Sequence, residues 1–502
     1  MDTEQKKGFF GLIQCRYIVA CLGSIGMAIA YGLKVNLSVA IVTMVNHTAL
    51  ELSNSQIQSD RPPIKHSMCL FNDSNHNSII EDGPFKWSNT LQGTILSSYF
   101  WGYLISLIPG GRIAELFSAK WVMFFAIAIN TICTLLTPIT AKIHYSILIM
   151  MRVGQGIGGG VTFPAMHVLL ARWSLPNERS VMSSVVYAGT SLGTVLSTLS
   201  AGIIADYINW EAVFYIMGGL NVIWLVLWVF FVFDDADSSP IISENEKKLI
   251  NSLLKGNYSS AKKSFPLKQV LTSMPFWAIL IAHTCSNWGW YMILIELPLY
   301  MKSILQLNVS ESSKFISLGF FLMWVFSILL SRSLDNFRAK KIITTTFARK
   351  ISTLIASVIP LGCFLGLSYI GCSRGGAIAL TILAIVAIAG MFCGFLSNHI
   401  DIAPNYAGTL VAFTNTIATI PGIVVPMFVG GLIENDPGIY SWRIIFFTTI
   451  ILYIIEIFFY VIFASGEEQD WNKNNNDNVE AQPLKNPQSP DGSKQDYKAT
   501  LN

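Results

Sequence analysis

The chain has 502 residues, 52% of them hydrophobic and only 13% charged, with a mean hydropathy of +0.51 and a net charge of +3. No soluble globular protein of this size is so apolar; the near-balanced charge argues neither for nor against nucleic acid, but no basic cluster interleaved with aromatics occurs, and no nucleic-acid partner is expected. Eight cysteines are scattered mostly within apolar runs, none in a CxxC pair, and argue against a metal site.

The N-terminus is short and polar, and the first apolar run is too long for a cleavable signal. Residues 1–15 are expected in the cytoplasm, with a first span from about 17 to 45 that holds Lys34 and Asn36 inside its apolar run. Residues 46–86 form a polar loop in which Asn46 and Asn72 each open an N-x-S/T sequon, the mark of a glycosylated outer face. Cys69 in this loop and Cys372 in a later one would share the outer side and are able to pair. Further spans are predicted at about 91–111, 121–140, 144–171, 180–205 and 211–233.

A lysine-rich polar segment at about 234–272 then reads as a cytoplasmic linker, which leaves the sequon at Asn257 unused. The second half carries spans at about 275–301, 311–331, 342–369, 376–398, 405–432 and 441–464, followed by a polar tail over 465–502 expected to be disordered. The fold class predicted is an all-α polytopic membrane protein of twelve transmembrane helices in two six-helix halves, residues 16–233 and 273–464, with both termini inside. The halves echo each other. Arg112, Glu115 and Lys120 join spans two and three, and Arg332 and Asp335 join spans eight and nine, each loop pairing a carboxylate with basic neighbours. Such a repeat is a common transporter plan with the site between halves, and these loops are expected to act as conformational switches.

The stretch RVGQGIGGGVTFPAMHVLLARWSLPNER, residues 152–179, concentrates the polar content of a span. Arg152, Gln155, Thr162 and His167 are costly at membrane depth and need a partner, a cavity or a function. At about 100° per residue Gln155, Gly159 and His167 fall within roughly 60° of Arg152, on one face. Five glycines between 154 and 160 let a neighbour approach the backbone. They also spell a formal GxGxxG, but a dinucleotide fingerprint needs a strand before it and a soluble βαβ unit around it. No GxxxxGK[ST] loop occurs, so an ATP-driven pump is not expected, and no paired catalytic set occurs within the spans, so neither is an enzyme.

The motifs YGLKVNLSVAIVTMVN, WSNTLQGTILSSYFWGYLISLIPGGRIAE, GVTFPAMHVLLARWSLPNERS, NWGWYMILIELPLYM, HIDIAPNYAGTL, NTIATIPGIVVP and SGEEQDW resemble the major facilitator superfamily. Within it they resemble the anion:cation symporters, the group of sodium/phosphate cotransporters, sialin and vesicular glutamate transporters, and most of all the inorganic phosphate cotransporters. The resemblance covers about residues 16 to 471. It implies a monomeric secondary transporter of small anions, with no cofactor beyond a sodium or proton coupling ion.

Lys34 stands where the family typically has arginine, and Arg152 matches a family arginine; both are implied to meet the anion. Leu96 and Ser286 stand where glutamate-transporting members have histidine and arginine, which argues against glutamate. Gly159 and Gln155 stand where many or some members have glutamate, so carboxylate-based proton coupling in span four is missing. From these come the expectations. Lys34, Arg152, Asn36, Tyr99, Tyr291 and Asn415 bind substrate, and His167, Glu296, Gln155 and Asp401 couple or gate. Trp101, Asn287, Trp288, Thr416 and His399 are weaker candidates, the last explained by solvation at a span end. The expected function is sodium-dependent phosphate or organic-anion symport in the plasma membrane. A proton-coupled carrier of the sialin type and a non-transporting sensor or scaffold are the alternatives.

Overall fold

A computed structural model describes residues 14–46, 48–49, 83–175, 179–254, 265–404 and 406–472. Most of the loop carrying Asn72 and Cys69, the sequon at Asn257 and the tail beyond 472 lie outside the described residues. Within them the chain is helical, apart from an isolated parallel bridge between Val45 and Phe85. The first six long helices are α1 (Cys15–Met44), α2 (Asn89–Leu116), α3 (Ala119–Ile143), α4 (Tyr145–Trp173), α5 (Arg179–Tyr207) and α6 (Trp210–Phe231). Two short helices follow, α7 (Glu244–Leu254) and α8 (Leu267–Thr272). The last six are α9 (Met274–Ser303), α10 (Val309–Ala339), α11 (Thr345–Tyr369), α12 (Arg374–Ile402), α13 (Ala407–Glu434) and α14 (Ile439–Phe463). Ten of the twelve long helices are apolar enough to cross a bilayer on hydropathy alone. The other two, α2 and α4, are as long, at 28 and 29 residues, but carry the polar and glycine-rich faces.

Helix starts follow their capping chemistry: the side chains of Ser88, Ser118, Asn209, Asn308 and Thr344 accept from backbone N–H groups three residues on. The glycines of α4 are packing residues. A Cβ on Gly156 would overlap the Tyr99 carbonyl of α2, one on Gly160 would meet the Tyr103 carbonyl at 2.5 Å, and one on Gly158 would meet the Ala126 carbonyl of α3 at 2.5 Å. Gly102 of α2 answers from the other side, set against the Val153 carbonyl. The GxGxxG is therefore a seam between membrane helices.

Three helices of the second half are broken. In α9 the turn Met292–Glu296 is π-helical; Pro298 cannot donate to the Leu294 carbonyl, and the Ser38 hydroxyl of α1 stands 3.5 Å from that oxygen instead. In α13, Gly422 N–H turns to the Thr419 carbonyl, and the freed Ala418 carbonyl accepts from Asn287 Nδ2 at 2.7 Å. The third break is in α12, at Gly394.

The N-terminal end of α1 and the C-terminal end of α14 share one face, which also holds α7. Glu246 of α7 accepts from the backbone N–H groups of Cys15 (2.9 Å) and Arg16 (3.2 Å) and from the Arg16 guanidinium (3.2 Å). Residues 465–472, assigned by their polarity to the disordered tail, are instead folded. Gly466 N–H donates to Thr346 Oγ1 at the start of α11 and Gln469 N–H to the Ile402 carbonyl at the end of α12, both at 2.9 Å. Open carbonyls and hydroxyls at two helix ends supply the partners that a composition-based reading cannot see.

Contacts between the first and last six helices concentrate on the face away from the termini. Gly93 of α2 lies against the Pro426 carbonyl, Gly430 of α13 meets the Asn89 carbonyl, and Ser317 Oγ of α10 donates to the Val195 carbonyl of α5 at 3.2 Å. The second half of α13 packs along α2, while its first half scarcely touches it. The molecule is thus closed at the far face and parted toward the terminal face.

Candidate functional site

Lys34 and Arg152 come together at the middle of the first six helices. Lys34 is 7% exposed and Arg152 2%. The Lys34 ammonium is enclosed by five rings, at 5.1 Å from the centroid of Tyr31, 5.9 Å from Tyr99, 4.8 Å from Phe100, 5.4 Å from Tyr103 and 4.9 Å from Tyr291. Each ring presents a negative face to the cation. Tyr291 belongs to α9, so the cage spans both halves. The Arg152 guanidinium lies 5.1 Å from the Tyr99 centroid and donates from Nη1 to Gln155 Oε1 at 2.7 Å. Gln155 Nε2 in turn donates to Thr134 Oγ1 at 2.9 Å, which donates to the Asn130 carbonyl at 2.7 Å. This chain fixes the orientation of Arg152 and leaves its Nε without a partner.

Neither cation has a carboxylate partner among the described residues, although other basic side chains, such as Arg16, Arg172 and Arg349, do. Two buried positive charges without a carboxylate partner among the described residues make an electrostatic environment that favours negative charge. Gly159 faces the same space, but a Cβ there would overlap the Tyr99 hydroxyl, so that ring occupies the room a larger residue would take.

The remaining candidates are dispersed. Asn415 faces Tyr103 across the two halves and so borders the cage. Asn36 is buried with both amide atoms unpartnered. Glu296 is buried near the far face, with Oε1 unpartnered. Thr416 bonds its own helix through the Ala412 carbonyl, Trp288 bonds Thr449, and Trp101 is half-buried. His167 is exposed, at the end of an aromatic row that runs from the cage: Tyr31 to Phe163 at 5.9 Å, Phe163 to Tyr187 at 5.4 Å and Tyr187 to His167 at 5.0 Å.

Asp401, expected to couple or gate, is tied to Arg349 of α11 by contacts of 2.6 and 3.3 Å, and the same arginine donates to the Cys393 carbonyl. It braces the break in α12. His399 is not solvated: it is buried, with Nε2 2.9 Å from Thr414 Oγ1, and that hydroxyl also lies 3.2 Å from His283 Nδ1. In the switch loops, Arg112 and Arg332 are exposed and Asp335 pairs with Arg338 at 3.3 Å. Lys120 donates to the Val229 carbonyl at 2.9 Å over the Phe233 ring, while the side chain of Glu115 lies outside the described residues. Asn46 Oδ1 accepts from Ala49 N–H at 2.7 Å beside the Val45 bridge. Cys372 is disulfide-bonded, whereas Cys15, Cys21, Cys133, Cys285, Cys363 and Cys393 are free.

Sequence reasoning missed Tyr31, Phe100 and Tyr103 in the cage, the His283–Thr414–His399 cluster, and Glu456. That carboxyl is buried between α9, α11 and α14, where Ser357 Oγ donates to Oε1 at 2.8 Å. Only the charge itself, a glutamate deep in the last span, could have signalled it.

The Major Facilitator Superfamily profile matches residues 20–426. Sialin of Homo sapiens is 40% identical over 461 residues, covering 91% of this chain and 90% of that protein. A Drosophila melanogaster chain provisionally named an inorganic phosphate cotransporter is 36% identical, covering 92% and 87%, and vesicular glutamate transporter 1 of Xenopus tropicalis is 32% identical, covering 92% and 77%. Among solved structures, a D-xylose–proton symporter superposes with a TM-score of 0.64 at 14% identity, covering 90% of this chain and 98% of that one. A bacterial homologue of the human lysosomal transporter Spinster, inward-facing and unoccupied, gives 0.62 at 14% identity, covering 89% and 96%. With the two-half helical fold, the caged cations and these relatives in hand, the chain belongs to the major facilitator superfamily, in the group that holds sialin and the vesicular glutamate transporters, and is a multi-pass membrane protein of transporter type, not an enzyme.

Proposed function

We propose that this protein is a secondary carrier of small organic anions, which bind with a carboxylate between Lys34 and Arg152 and cross by rocking of the two halves. The observation that carries the reading is the pair of buried cations without a carboxylate partner among the described residues. Five aromatic rings around Lys34, four of them tyrosines, favour an anion whose carbon body can lie against ring faces while its polar groups reach the tyrosine hydroxyls. The names of the sialin and glutamate-transporter relatives support a carboxylate substrate. By the positive-inside rule the lysine-rich linker sets the terminal face in the cytoplasm, so the parted side faces the cell interior.

The test is counterflow in proteoliposomes. Vesicles loaded with unlabelled sialic acid, glutamate, urate or phosphate are diluted into the same labelled anion, with no ion gradient imposed. Exchange of at least one carboxylate, lost in Arg152→Gln, is the expected result. No exchange of any of the four by well-folded protein would leave the sensor or scaffold reading in its place, and exchange of phosphate alone would restore the phosphate reading.

A further inference from the structure

Glu296 closes the π-helical turn of α9 and is 2% exposed. It lines a small cavity with Ser38 of α1, Asn89 and Gln92 of α2, and Pro426 and Gly430 of α13. Helices α1 and α2 belong to the first six and α9 and α13 to the last six, so this cavity straddles the seam at which the far face is closed.

The Ser38 hydroxyl and the Gln92 amide N–H groups around it are already engaged. Ser38 Oγ donates to the Val35 carbonyl at 2.7 Å, and Gln92 Nε2 donates to the Trp87 carbonyl at 3.1 Å and to Asn89 Oδ1 at 3.3 Å. No donor is directed at Glu296 Oε1, which has no partner. Among the residues lining the cavity, Glu296 alone titrates. On the elements packed against it, the neighbouring charged or titratable groups are Lys34 of α1, held in its aromatic cage one turn from Ser38, and Tyr99 of α2, in the same cage. Glu434 of α13 lies one turn beyond Gly430 and accepts from Thr90 N–H at 3.0 Å. On α9 itself they are Tyr291, against Lys34, and Tyr300, packed on Trp442.

A carboxylate sealed in this cavity would carry its charge with Oε1 unpartnered and no cation lining the cavity, which is a costly arrangement; one proton on the carboxyl removes that cost. When the halves part at the far face, the same side chain meets water and can ionise. Its environment therefore alternates with access, which a coupling group requires. Glu456, by contrast, lies wholly among α9, α11 and α14 of the last six and keeps its surroundings if the halves rock as units. Sodium is disfavoured, because the cavity offers one carboxylate and few free oxygens.

We infer that Glu296 is the proton-coupling site of the carrier. It takes one proton from the far-face solution and keeps it through closure. It gives the proton up once water reaches the carboxyl from the central chamber, an opening beyond the sealed arrangement described above. One O–H bond forms at the first face and breaks at the second, so each cycle moves one proton with the anion and nothing is oxidised or reduced. This rests on the organic-anion carrier reading above, and it relocates to α9 the carboxyl that Gln155 and Gly159 do not supply.

The test uses the full-length chain in proteoliposomes, with whichever of the four anions the wild type exchanges and with pyranine inside the vesicles to follow protons. Wild type should accumulate the anion on an inward proton gradient without sodium and acidify the lumen as it does so. Glu296→Gln should keep exchange and lose both accumulation and acidification, while Glu456→Gln keeps all three. Proton-driven accumulation by Glu296→Gln, or wild-type accumulation that needs sodium, overturns the assignment. If Glu296→Gln abolishes exchange as well, Glu296→Asp decides. Exchange with a displaced pH midpoint for accumulation supports the site, and exchange with an unmoved midpoint, or no exchange, rejects it. Absence of exchange in the wild type would fall on the carrier reading instead.

Discussion

Replacing Lys34 by glutamine removes the ammonium and leaves an amide of similar length among the same five rings. A unit charge in contact with an anion at about 4 Å, at an effective dielectric of about 20, contributes roughly 4 kcal/mol. The amide recovers about 1 kcal/mol of that by hydrogen bonding. The remainder, about 3 kcal/mol, corresponds to roughly a hundredfold rise in the KM for anion exchange. Folding should not suffer, because the ammonium is buried with no counter-charge among the described residues and an amide costs less to bury. The expected signature is a large loss of transport with an unchanged or raised thermal midpoint, measured on the same purified protein in detergent and in proteoliposomes. A KM for Lys34→Gln within about threefold of wild type, less than 1 kcal/mol, with the same result for Arg152→Gln, would refute the argument that these charges hold the anion.

Gly159→Glu should not create a pH-sensitive site beside Arg152, since its Cβ overlaps the Tyr99 hydroxyl; it should lower the thermal midpoint and abolish exchange. Gly156→Ala pushes backbone against backbone between α4 and α2 and should destabilise by about 1–3 kcal/mol, read as earlier thermal unfolding in detergent. Asp401→Asn strips the Arg349 guanidinium of its charge partner and should cost about 2 kcal/mol at this partly exposed position, while the anion KM and the coupling ion stay as in wild type. Asn46→Gln with Asn72→Gln should remove the whole glycan-dependent mass shift on gels, and Asn257→Gln should leave it unchanged, if the lysine-rich linker lies in the cytoplasm.

The fold was legible because each span is a long run of one chemistry, and helix phase alone put Arg152 beside Gln155. The Lys34 cage was half visible. Tyr99 and Tyr291 stood out as polar aromatics in apolar runs, but Phe100 looks like any lipid-facing residue until α2 and α9 are laid together. The ion pair of Asp401 was invisible for the same reason, since its partner Arg349 is 52 positions away and nothing local announces the pair. His399 shows the limit of depth arguments, because a place near a helix end suggested water where the break in α12 and Thr414 provide a buried niche. Residues 465–472 are mostly polar apart from Gly466 and Trp471, yet backbone groups of theirs find partners at two helix ends. Composition records what a segment is made of and not which open carbonyls it will meet.

That folded segment has a practical side. At the terminal face the two halves are buckled separately: Glu246 fastens the start of α1 within the first six helices, and residues 466–469 fasten α11 to α12 within the last six. A reporter protein fused after residue 472 hangs clear of both buckles and should travel with the last six helices as they tilt. A truncation that ends at residue 464 instead takes the second buckle with it, loosening the starts and ends of helices whose sequences are intact. The workable point for attaching tags, and the shortest chain worth expressing, is therefore set by where these last backbone bonds close, at Gln469 and Asn472 beyond the end of α14 at Phe463.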